Sequence, residues 1–325
     1  MKKKLAFYWA SSCGGCEVAV LDINEKILEV IEKADIVFWP VAMDTKYKDV
    51  ERMENRSIDF CFFNGAIRTS ENEELAKLLR KKSKYMIAFG ACACYGGIPG
   101  LANLFDKDEI FKEIYIKNPS TPNPKRAVPK EKVRVKEGDL ELPKFYDVVK
   151  TLDQVVEVDY YIPGCPPPVK IIEEAFDKLL NGKELPPKGS VLAPMKSVCD
   201  ECIFEKSKKK ISGIKRIHEI DRVENKCFLE QGIICMGPAT RAGCGAACIK
   251  AGMPCTGCMG LLPNSRDQGA KMISALASIL GIEEEEEDER KSKELIDQIV
   301  DLVGTFYKYS LPAAIINRRV IKRRR

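Results

Sequence analysis

The sequence predicts a doubly wound, parallel α/β sheet, followed by a small irregular cysteine-rich segment and C-terminal helices. Three observations carry that expectation. Short apolar segments alternate with helix-spaced ones through the first 185 residues, the alternation collapses from about residue 186, and helical spacing returns near residue 269. At 325 residues the chain has ample material for a core, and its 45% hydrophobic and 31% charged content excludes a disordered or fibrous chain.

The elements follow in order. Leu5–Ala10 is apolar and runs into Ser-Ser-Cys-Gly-Gly, which reads as a strand and a tight loop. Glu17–Lys33 places Val20, Ile23, Ile27, Val30 and Ile31 on one side of a helix. ADIVFWP at 34–40 and IDFCFFNGAI at 58–67 read as strands, 71–82 as a helix and 84–93 as a strand. VVEVDYYIPG at 155–164 repeats the strand pattern, and 169–182 reads as a helix capped by Gly182. The aperiodic stretch 117–145 is expected to be a surface insertion. Gly, Pro and Cys dominate from 186 to Pro263, a segment expected to fold around metal. Gly269–Leu280 and Leu295–Tyr309 read as helices on either side of an acidic linker, Glu283–Glu289. The expected division is 1–185, 186–265 and 266–325.

The N-terminal apolar run is about six residues, shorter than the ~7–15 of a signal-peptide core. No segment approaches the ~18 apolar residues of a membrane span. The chain is therefore expected to be cytoplasmic. The net charge of +5 owes much to the tail NRRVIKRRR, in which no aromatic residues interleave, so no nucleic-acid partner is expected.

Fourteen cysteines in such a compartment point to metal or cluster ligation rather than disulfides. Cys13, Cys16, Cys92 and Cys165 each follow an expected strand, at the carboxyl edge where open α/β sheets bind ligands. Gly14, Gly15, Gly90, Gly96 and Gly97 beside them allow close backbone approach. Four thiolates suit a 4Fe–4S cluster. Cys94 is an alternative to Cys92, whereas Cys61 reads as core. Glu17 reads as a first-turn carboxylate or a proton relay, and Asn64 and Arg68 as possible lining. Eight more cysteines crowd together: Cys199, Cys202, Cys227, Cys235, Cys244, Cys248, Cys255 and Cys258.

SSCGGCE at 11–17, GACACYGGIPG at 90–100 and IPGCPPPV at 162–169 resemble the proximal-cluster motifs of nickel–iron hydrogenase small subunits. They are also similar to the related complex I subunit, which has adjacent paired cysteines where this chain has Cys13-x2-Cys16. The resemblance implies a flavodoxin-like fold packed on a large subunit that holds the nickel–iron centre. It further implies a distal 4Fe–4S cluster on Cys199, Cys202, Cys227 and Cys235, with Cys199 where relatives have histidine. A medial cluster is implied on Cys244, Cys248, Cys255 and Cys258, where a fourth cysteine favours 4Fe–4S over 3Fe–4S.

The all-cysteine set resembles the cytoplasmic, viologen-reducing hydrogenase small (gamma) subunits of methanogens, which do not use the deazaflavin coenzyme. That subgroup implies a 2Fe–2S adaptor (delta) subunit and the flavin subunit of heterodisulfide reductase as partners. The chain itself would be an electron relay with no catalytic residue. His218, the sole histidine, has no ligand spacing and is expected at the surface. Rival readings are a sulfhydrogenase or complex-I-like quinone-reductase subunit and, in another class, a zinc-binding scaffold or nucleic-acid module.

Overall fold

A computed structural model describes residues 2–181, 184–207, 211, 213–220, 224–280, 290 and 293–318. Ten strands are present among them: β1 (Lys3–Trp9), β2 (Ala34–Phe38), β3 (Ile58–Asn64), β4 (Ile67–Thr69), β5 (Ser83–Phe89), β6 (Lys132–Val135), β7 (Gly138–Glu141), β8 (Phe145–Lys150), β9 (Tyr160–Ile162) and β10 (Ser190–Val191). Six of them form one sheet in the order β10-β9-β5-β3-β1-β2, every pair parallel. Counted along the sheet's own strands, the first five run 2-1-3-4-5, the flavodoxin-like order.

Residue alternation explains why this sheet is covered on both faces. Leu5, Phe7, Phe60, Phe62, Ile87, Phe89, Tyr160 and Ile162 bury into one core, and Ala6, Tyr8, Cys61, Phe63, Met86 and Ala88 into the other. A strand such as Phe60-Cys61-Phe62-Phe63 is apolar at every position because neither side meets water. Helices α1 (Gly15–Leu21), α2 (Lys26–Lys33) and α7 (Val169–Phe176) contribute residues to the first core. Helices α3 (Tyr47–Arg52), α4 (Ser70–Lys82) and α5 (Ala91–Tyr95) contribute to the second. Thr69 caps α4 by accepting the Asn72 N–H at 3.3 Å, which fixes where the helix begins.

Several expectations needed correction. The single helix over Glu17–Lys33 is two, broken where Asn24 takes φ +52, and this break leaves Ile31 43% exposed. The strand expected over 84–93 stops at Phe89, and α5 carries Cys92 instead. The 155–164 strand shrinks to Tyr160–Ile162. The 117–145 insertion holds the β6–β7 hairpin, while β8 pairs antiparallel with β4. After α7 the chain loosens into a wider turn over Asp177–Asn181, and Gly182 lies outside the described residues.

The cysteine-rich segment has more apolar core than its composition indicated. Val198, Phe228, Leu229, Ile233 and Met236 pack with Met272 and Leu276 of α9 (Gln268–Ala277) and with Phe306 and Leu311. The last of the expected helices is interrupted: residues 293–297 are helical, and a further short helix spans Leu302–Phe306. The acidic run Glu283–Glu289 and most of the basic tail lie outside the described residues. Among the described residues no helix is long and apolar enough to cross a membrane.

One buried ionic knot ties the sheet's edge together. Asp159, whose side chain is fully buried, accepts the Met86 N–H at 2.8 Å, pairs with Lys188 at 2.6 Å and bonds Arg80. Burial works to raise its pKa, but Lys188, the Met86 N–H and Arg80 outweigh burial and hold the carboxyl below its ordinary range. A depressed folded pKa means the stabilisation is present above the unfolded value of ~3.9 and fades as pH falls through the folded one. Asp159→Asn is expected to cost about 3 kcal/mol at neutral pH by leaving Arg80 without its anion. Thermal denaturation checks this, and the difference from wild type should shrink in acid below about pH 4.

Candidate iron–sulfur centres

The carboxyl edge of the sheet brings Cys13, Cys16, Cys92 and Cys165 together. Cys13 and Cys16 flank the turn from β1 into α1, where Gly14 takes φ +83, a conformation that suits glycine. Cys92 lies in α5 after β5, and Cys165 follows β9. Burial first, then the neighbouring thiols Cys92, Cys165 and Cys13, push the Cys16 thiol far up. Burial, followed by Cys165 and Cys13, raises Cys92 to about 12. Cys165 is raised by burial and by Cys13. Each of the four thus lies within electrostatic reach of the other three.

The backbone around them is shaped to leave sulfur room. A Cβ on Gly90, which has φ +86, would stand 2.3 Å from the Cys16 Sγ, and one on Gly97 would stand 2.5 Å from the Cys92 Sγ. The Ile98 N–H donates to Cys92. Four free thiols, glycine clearance and a backbone N–H facing sulfur fit a 4Fe–4S cluster.

Cys94 belongs elsewhere. It is wholly buried with its thiol donating to the Ala88 carbonyl at 3.3 Å, so it is spoken for as a protonated, structural group. Cys61 is fully buried within β3, as expected. Cys94→Ala is expected to cost about 1 kcal/mol of stability and no iron. A loss of one cluster's iron on analysis would restore Cys94 as a ligand.

The other eight cysteines gather beyond the sheet. Burial raises Cys199 to about 12 against the pull of Lys206, and Cys235, Cys227 and Cys202 add to the rise. Cys235 in turn feels Cys227 and Cys202. Burial, then Cys244, raises Cys258 to about 12, with Cys165 and Cys248 contributing. Burial and then Cys235 raise Cys255, which also feels Cys258.

Two contacts join these groups in series. The Cys165 N–H donates to the Cys258 thiol, and the Cys255 N–H donates to the Cys235 Sγ at 3.3 Å. Glycine clearance recurs, since a Cβ on Gly237 would stand 3.1 Å from the Cys199 Sγ. His218 is exposed.

Glu17 is buried rather than solvated, bonded by the Trp39 indole N–H and the Asn64 amide. Burial raises its carboxyl, while Trp39 and Asn64 work in the other direction. Asn64 thus meets the carboxylate of the residue after Cys16. Arg68 sits under β8, with its guanidinium 4.4 Å from the Phe145 ring centroid.

Sequence reasoning missed the C-terminal strap. The Gly97 N–H donates to the Tyr309 carbonyl at 3.1 Å, and Pro312 packs so close to Gly96 that a Cβ there would stand 2.2 Å away. The Tyr309 hydroxyl, 3.4 Å from that of Thr256, is within reach of Cys258, Cys165 and Cys248. Glycines at 96 and 100 were the one available signal, because both have Pro312 against them.

Residues 13–179 match the family model described as NADH ubiquinone oxidoreductase, 20 Kd subunit. The chain is 43% identical over 99% of its length to the whole iron–sulfur subunit of the F420-non-reducing hydrogenase of Archaeoglobus profundus. It is 41% identical, over 99% of its length and 98% of the relative, to the corresponding F420-non-reducing hydrogenase subunit of Methanothermobacter thermautotrophicus. An NAD+-reducing [NiFe]-hydrogenase in its H2-reduced state aligns to 57% of this chain and 94% of its own at 27% identity and a TM-score of 0.48. Similarity along the whole chain, to relatives matched from end to end, places it in the family of F420-non-reducing hydrogenase iron–sulfur subunits, as the small subunit of an oxidoreductase and not its hydrogen-activating chain.

Proposed function

We propose that this subunit relays electrons, one at a time, from hydrogen oxidation in a nickel–iron large subunit toward an outer acceptor. Cys13, Cys16, Cys92 and Cys165 would hold the proximal 4Fe–4S cluster. Cys244, Cys248, Cys255 and Cys258 would hold the medial one, and Cys199, Cys202, Cys227 and Cys235 the distal one. Bound there, the clusters supply one-electron redox chemistry.

The series of contacts between groups carries the reading. The Cys165 N–H on Cys258 and the Cys255 N–H on Cys235 support reading the three thiol sets as a series, proximal, medial and distal. The protein's own work is to hold twelve thiols in place, to clear space with glycines and to exclude water. Buried thiols with raised pKa values stay protonated until iron displaces the protons, so loading releases protons.

The large subunit is proposed to cover the Cys13 edge. Cys13 is exposed, and nearby Trp9, Val18 and Leu21 show 41%, 58% and 58% of their surface. Uncovered apolar surface of this kind marks an interface. A 2Fe–2S adaptor subunit and the flavin subunit of heterodisulfide reductase are proposed beyond the distal cluster, with the assembly in the cytoplasm.

Anaerobic purification of the native complex tests this assignment. Nickel in a copurifying large chain, with hydrogen-dependent viologen reduction, is the expected result. A copurifying complex without nickel would overturn it in favour of a quinone-reductase relative.

A further inference from the structure

Between Cys199 and Cys202 stands a glutamate whose carboxylate leaves its own loop for another. Glu201 accepts the Gly243 N–H at 3.0 Å and 3.2 Å through its two oxygens, and the Gly245 N–H at 2.8 Å. These two amides stand on either side of Cys244. The loop has φ +118 at Gly243, +62 at Gly245 and +53 at Ala246. Such a backbone turns successive N–H groups into one concavity, an arrangement that favours an anion. Here the anion is supplied by the chain itself, from the stretch that bears Cys199 and Cys202.

The placement has an electrostatic consequence. Backbone N–H groups aimed at cluster sulfur favour the reduced, more negative form and so raise the potential. Glu201 engages both amides that flank Cys244 and adds a negative charge beside them. Each effect opposes the arrival of another electron. The Lys250 ammonium is the cation at this loop, 3.8 Å from where a Cβ on Gly245 would stand, but Lys250 is exposed and solvent screens it.

We propose that Glu201 is a positioning residue that fixes the Cys244 loop and lowers the reduction potential of the medial cluster. The proposal rests on reading Cys244, Cys248, Cys255 and Cys258 as that cluster's ligands. No bond to Glu201 forms or breaks; the site gains one electron on reduction, and the carboxylate acts by charge and by N–H placement. It also couples the segment of Cys199 and Cys202 to that of Cys244, so the two outer sites are set by one side chain.

The test is a redox titration of the anaerobic complex followed by EPR, with iron and sulfide counted beforehand. Wild-type protein without three clusters' iron would defeat the underlying ligand reading and not this inference. With that iron present, Glu201→Gln is expected to raise the medial potential and leave the proximal one in place. An unmoved medial potential at full iron content would overturn the proposal. If the variant instead loses its medial iron alone, the positioning half stands, and Glu201→Asp, which keeps the charge, is expected to restore the cluster. Should Glu201→Gln lose all iron, Glu201→Asp decides: a medial cluster restored at or above the wild-type potential supports the proposal, and one restored below it, or continued loss of all clusters, overturns it.

Discussion

Replacing Cys92 or Cys165 with alanine is expected to abolish hydrogen-dependent dye reduction by the assembled complex. Each variant removes one of four thiols that the carboxyl edge of the sheet gathers from three separate loops. The iron content should fall by between one and about four per chain, since three thiols suit at most a 3Fe–4S cluster, while the other two groups keep theirs. The thiols concerned lie on α5 and just after β9, at the ends of strands buried on both faces, so the scaffold should fold without them. Loss of activity with retained secondary structure, read by circular dichroism, separates a broken relay from a broken fold. Full iron and activity in either variant would remove that cysteine from the proximal set.

Gly90→Ala is expected to produce nearly the same loss while leaving every cysteine in place. The added methyl would stand 2.3 Å from the Cys16 Sγ, and φ +86 disfavours any Cβ. Backbone at φ +86 and ψ +163 is open essentially to glycine alone and costs an L-residue about 1–3 kcal/mol, so circular dichroism must first show that the variant folds. The collision with sulfur cannot be absorbed without moving Cys16 away from its three partners. Gly189→Ala is the control, since it shares a positive φ of +82 but has nothing within 4 Å. Iron analysis should show between one and about four irons missing from the first variant and none from the second. Equal iron in both would show that the Gly90 clearance does not shape the site.

The sheet was legible in the sequence because strands buried on both faces are apolar at every position, as in Phe60-Cys61-Phe62-Phe63. The β4–β8 pair and the β6–β7 hairpin were not, since β4, β6 and β7 span only three or four residues each, and Val133 and Leu140, which alternate with charged residues in the hairpin, are themselves exposed. The helix break at Asn24 carried no Pro or Gly to announce it, and asparagine tolerates positive φ well enough to pass unnoticed.

In the site, Cys13, Cys16, Cys92 and Cys165 were legible because each follows a strand. Contacts between groups were not, because the Cys165 N–H on Cys258 and the Cys255 N–H on Cys235 arise from tertiary packing. Spacing gave no hint that Tyr309 and Pro312 return to the proximal loops, since their partners lie more than two hundred residues away. Cys94 shows the limit from the other side: two residues from Cys92, it was separable only by its bond to the Ala88 carbonyl.

Iron, acid-labile sulfide and zinc measured on the anaerobically purified chain test the central claim most directly. Three cubane clusters on twelve cysteines predict about twelve irons and twelve sulfides per chain beyond any partner's clusters, with no stoichiometric zinc. Zinc with little sulfide would contradict the account, because thiolate sites of that kind stabilise a fold and carry no electrons.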